Sequence, residues 1–77
     1  MYNIAFYEGG CFFTNIGGSV QTLAEAIDQV HAIAGALDAQ ELEEYFGYKF
    51  DRSGTICALV VTDRWGFPVK NFKEEED

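Results

Sequence analysis

Apolar positions recur along this chain with two different periods, and the changes of period divide it into elements. Over Tyr2 to Glu8 large and small side chains alternate among strand-forming residues, the period-two pattern of a strand with two unlike faces. Cys11 to Ile16 repeats that character. The intervening Gly9-Gly10 suits a two-residue hairpin turn, whose backbone needs positive φ that glycine adopts without strain. Gly17-Gly18 then releases the chain.

From Thr22 the period lengthens. Leu23, Ala26, Ile27, Val30, Ile33, Ala34 and Leu37 recur at three and four residues and gather on one stripe, which predicts an amphipathic helix. Thr22-Leu-Ala-Glu25 fits a capping box at its start, and Gly35 is read as a left-handed stop. A second capping box, Asp38-Ala-Gln-Glu41, bracketed by Leu37 and Leu42, predicts a second short helix. Its buried side would be Leu42, Tyr45 and Phe46, its wet side Glu41, Glu43 and Glu44, and Gly47 would end it.

Period two returns at Tyr48-Lys49-Phe50, before a turn over Asp51 to Gly54. Thr55 to Thr62 is the most apolar run of the chain and reads as the central strand. Asp63 to Gly66 turns again, and Phe67 to Phe72 is expected as a last strand, at an edge because of Pro68. The predicted fold class is α+β, an antiparallel sheet of about five strands in the order ββααβββ with two short helices on one face. One domain over residues 1–73 and a frayed acidic tail over 74–77 are expected.

Charge changes this picture from a fold to a surface. The 77 residues carry a net −8. The first 48 contain seven acids and no base, Lys49 to Lys73 hold all five bases and two acids, and the last four residues are acidic. An acidic surface repels nucleic acid and anionic lipid and is complementary to a basic protein. With 48% hydrophobic and 16% aromatic residues the chain is too apolar for an acidic disordered segment. No apolar run approaches the ~20 residues that span a bilayer, and the first residues lack a signal-peptide pattern, so a cytoplasmic location is expected. Cys11 and Cys57 are too few and too far apart for a zinc site and are expected as free thiols.

Catalytic and metal-binding patterns are absent from the spacing. His31, the single histidine, falls at the border of the helical stripe with no nucleophile assigned beside it, which favours a half-buried boundary residue over a general base. Glu41, Glu43 and Glu44 lack the loop spacing of a calcium site, and neither glycine pair has the Lys-Ser/Thr of a phosphate loop. No enzymatic activity, cofactor or metal is expected. Trp65-Gly66-Phe67 places two rings at a turn, and tryptophan is enriched in binding hot spots. Ala24, Ala32, Gly35 and Ala36 form a smooth strip that a second copy of the chain could meet.

In size, acidity, compact α+β pattern and aromatic richness the chain resembles the small phage-encoded anti-CRISPR proteins, particularly those acting on type I surveillance complexes. The resemblance rests on no shared motif, so no functional residue is carried over. It implies binding to a DNA-recognising subunit of the effector complex, without catalysis, so that target DNA cannot dock. The chain's own charge supports the same expectation. A small acidic inhibitor would occupy the DNA-binding surface of a basic protein through Glu25, Asp28, Glu41, Glu43 and Glu44, with Trp65 as an aromatic contact. The alternatives are an antitoxin or immunity protein of a nuclease, and a homo-oligomeric structural or adaptor module.

Overall fold

The computed structural model describes residues 1–71. Strands β1 (Tyr2–Glu8) and β2 (Cys11–Val20) are followed by helix α1 (Leu23–Gly35) and by β3 (Gln40–Glu41), β4 (Gly47–Arg52) and β5 (Thr55–Asp63). The five strands form one antiparallel sheet in the order β2-β1-β5-β4-β3. The α+β class, the antiparallel pairing and the central place of the Thr55–Thr62 run are as expected. The second helix is not: among the described residues there is one helix, and the order is ββαβββ.

The first hairpin closes on Gly9 and Gly10 at φ 62° and 89°, the left-handed geometry that a primed turn demands. Strand β2 runs four residues further than expected, through Gly17-Gly18, with register irregularities opposite Tyr2/Ile4 and Phe6/Tyr7.

Helix α1 begins as its capping box dictates. The Glu25 amide donates to the Thr22 hydroxyl at 3.2 Å, and the Glu25 carboxylate accepts from the Gln21 amide, one residue earlier than the Thr22 amide of the ideal box. Gly35 is not a left-handed stop. The cap is Ala36 in a right-handed conformation, its amide donating to the Ile33 and Ala34 carbonyls.

The chain that follows is extended where a second helix is expected. Gln40 and Glu41 pair with Lys49 and Tyr48, and the Leu42 amide donates to the Gly47 carbonyl at 2.9 Å. Asp38 therefore caps no helix. The expected last strand over Phe67 to Phe72 is reduced to two isolated bridges, Thr62 with Pro68 and Tyr45 with Lys70. Phe72, Lys73 and the acidic tail lie outside the described residues.

The core sits between α1 and one face of the sheet. Ala26, Val30 and Ala34 of α1 are buried, and Ile4, Phe6, Cys57, Leu59 and Val61 meet them from β1 and β5. Full burial of the larger of these, such as Ile4, Val30, Leu59 and Val61, contributes about 1.5–3 kcal/mol each. Phe6 stacks on Phe50 at 6.2 Å between centroids and takes Phe13 edge-on at 5.8 Å. Both thiols are free, Cys57 buried and Cys11 exposed. No described helix is long and apolar enough to cross a membrane.

Candidate functional site: the sheet face opposite the helix

Strand alternation decides what lies on the face that α1 leaves uncovered. Since Ile4, Phe6, Leu59 and Val61 point to the helix, the register sends Ala5, Tyr7, Ile56, Ala58, Val60 and Thr62 to the other side. Phe12 pairs with Tyr7 and joins them, their rings meeting edge to face at 6.0 Å. Ile56 is 58% exposed and Phe12 59%. Ala5, Val60 and Thr62 on the same face are buried, so the exposed apolar area there is that of Phe12 and Ile56.

The Tyr7–Phe12 pair stands between two depressions. One, lined by Asn3, Ala5, Asn15, Thr62 and Trp65, lies toward β2. The other, of about 350 Å³, lies toward β4 and is lined by Leu42, Tyr45, Ile56, Ala58, Val60 and Pro68 among others. Its lining is predominantly apolar, with Lys49 as the charged side chain. Lys49 also lines two adjoining polar hollows, one containing Asp38 and Asp51, the other Glu41 and Glu43.

Trp65 belongs to this face. It is 71% exposed, and the Arg64 guanidinium lies 4.9 Å from its ring centroid, a cation–π distance. The turn that presents it is held by the Asp63 carboxylate, which accepts from the Trp65 and Phe67 amides at 2.9 and 3.0 Å. An exposed ring on a fixed turn is presented with little backbone freedom left to lose on binding.

The acidic residues singled out from the sequence do not form one helical face. Glu25 and Asp28 lie exposed on α1, Glu41 is in the edge strand β3, and Glu43 and Glu44 are in the connection from β3 to β4. The structure thus brings Glu41 and Glu43 to the rim beside Lys49, and leaves Glu25 and Asp28 on the helix layer. His31 is exposed on α1, its Nδ1 2.5 Å from the Tyr48 hydroxyl. The pair ties helix to sheet, and the imidazole is exposed rather than half-buried as expected. Among the described residues no group of three His, Cys, Asp or Glu is placed to hold a metal ion.

Tyr7, Phe12 and Ile56 are members of this face that sequence reasoning did not single out, and Leu42 and Tyr45, expected on the buried side of a second helix, lie here instead. A usable sign was available: the run from Thr55 to Thr62 is apolar at both odd and even positions, whereas one long helical stripe can cover only one of its faces. Compared with protein families, with characterised proteins and with solved structures, the chain matches none.

Proposed function

We propose that this protein is a small acidic binding module without catalytic activity, an inhibitor that occupies the nucleic-acid-binding surface of a basic protein. The observation that carries the reading is the sheet face left uncovered by α1, which bears exposed Phe12, Ile56 and Trp65, and where Ile56 lines a hollow with Asp38 and Asp51 that adjoins a second one lined by Glu41 and Glu43. A fixed aromatic and aliphatic centre beside carboxylates is the complement of a basic surface, with apolar burial supplying affinity and charge supplying steering. The partner class that best fits is a DNA-recognising protein such as a subunit of a type I CRISPR effector complex. A basic nuclease, with this chain as its immunity protein, would present the same chemistry.

The test is competition between the purified chain and labelled target DNA for a type I effector complex, at low and high salt. Displacement of DNA that weakens as salt rises is expected. An effector complex that binds DNA equally well with or without the chain overturns the reading.

A second reading, a self-assembling adaptor, is favoured by one feature. β2 is a ten-residue edge strand without a charged residue or proline, devices that usually discourage edge-to-edge pairing, although its register irregularities act against such pairing. Sedimentation of the chain alone separates the two: concentration-dependent dimers insensitive to salt support the adaptor.

A further inference from the structure

We infer that the depression between Leu42, Tyr45, Ile56 and Pro68 receives a single large apolar side chain from the partner, on a segment where Lys or Arg residues flank that anchor. This deepens the proposed function and rests on it. The depression has the volume for such an anchor, about 350 Å³. Ile56, Ala58 and Val60 of the central strand line it on one side, and Leu42, Tyr45 and Pro68, from the connection after β3 and the chain after β5, complete it.

The flanking charges follow from the rim. Lys49 is shared by the apolar depression and the two polar hollows, whose linings also include Asp38 and Asp51 in one and Glu41 and Glu43 in the other. Four carboxylates against two ammonium groups, Lys49 and the exposed Lys70 that is bridged to Tyr45, leave the surround of the depression negative. An anionic ligand is therefore disfavoured even at Lys49, and nucleic acid more so. A second copy of this chain would set carboxylates against carboxylates. A segment with an apolar anchor and bases on either side satisfies both the lining and the rim: the anchor is desolvated where burial is favourable, and the bases stay at the rim, where ion pairs contribute specificity.

The experiment uses the full chain, isotopically labelled, and three capped probe peptides followed by amide chemical shifts. The first has one leucine between pairs of arginines, the second has serine for leucine, and the third has glutamate for arginine. Saturable shifts at Ile56, Ala58 and Val60 are expected with the first. The serine peptide should bind about tenfold more weakly, the difference that roughly two buried methylenes supply, and the glutamate peptide should not bind. Ala58→Leu, which fills the depression without changing charge, should weaken the leucine peptide and leave the serine peptide unchanged. Asp38→Asn with Asp51→Asn should weaken both arginine peptides.

Equal binding of the leucine and serine peptides, or shifts concentrated around Glu25 and Asp28, would overturn the anchor while leaving the acidic binding module standing. The same holds if no peptide binds yet the chain still displaces DNA from the effector complex. Loss of that displacement itself removes the function on which the inference rests.

Discussion

Gly47 lies where β4 meets β5 with no room for a side chain. A Cβ built there would collide with the Leu59 carbonyl oxygen and stand 2.9 Å from the Val60 Cα, both of them backbone in the central strand and unable to turn aside. Gly47→Ala is expected to cost about 1–3 kcal/mol, the range for overpacked interiors, read as a lower denaturant midpoint. Its place in the sequence suggested a helix stop, a different reason for the same residue. Cys57, 1% exposed, is enclosed as its neighbours implied, with a thiol contact of 3.7 Å to the Thr55 carbonyl. Cys57→Ser should lose about 1–3 kcal/mol, because a serine hydroxyl needs a closer and better-aligned acceptor than a thiol tolerates. Cys11→Ser, at an exposed site, should stay within about 0.5 kcal/mol of wild type, and equal losses at both cysteines would contradict this difference in burial.

At the scale of elements, two similar capping signatures had opposite outcomes. Thr22 heads a stripe of thirteen helical residues that α1 lays on the sheet, so its cap supports packing already in place. Asp38 heads a segment in which a helix would gather Leu42, Tyr45 and Phe46 on one side. The extended chain separates them instead, sending Phe46 into the helix-side core and Leu42 and Tyr45 to the opposite face. Pairing with β4 also satisfies backbone groups that a helix of so few residues would form at a cost in nucleation. Thr22→Ala should therefore destabilise by about 1 kcal/mol, while Asp38→Ala should change stability by less than about 0.5 kcal/mol. Thermal melts of the two variants side by side decide it, and a larger loss at Asp38 would restore a capping role there.

For the whole molecule, the consequence is a change of working surface. A helix pair bearing Glu25, Asp28, Glu41, Glu43 and Glu44 would act as one charged face, but these residues are spread over α1, β3 and the connection after β3. Ile56→Lys, at an exposed strand position, should abolish competition with DNA for a basic partner while the fold is retained, as should Trp65→Ala. Glu41→Lys with Glu44→Lys should slow association and flatten the loss of binding with salt, without abolishing binding, because less favourable charge is left to screen. Association and dissociation rates measured at two ionic strengths separate these effects. If Ile56→Lys competes like wild type, the open sheet face is not the contact surface.

Local patterns were enough to determine several features of this protein. Gly9-Gly10 between two alternating runs set the hairpin, Thr22 and Glu25 with the stripe that follows set α1, and the apolar run from Thr55 set the central strand. Each of these depends on contacts within a few residues or on burial that a period reveals. The path of residues 38–46 and the identity of the exposed face were decided by tertiary structure. Whether Leu42 and Tyr45 share a side with Phe46 depends on the pairing of Gln40 and Glu41 with β4, and whether Ile56 meets solvent depends on how many layers cover the sheet. With one helix on the sheet among the described residues, Cys57, Leu59 and Val61 are sealed beneath it, while on the other face of β5 Ile56 meets solvent and Val60 and Thr62 are buried, a division that the doubly apolar run hints at and that only what packs on each face in space decides.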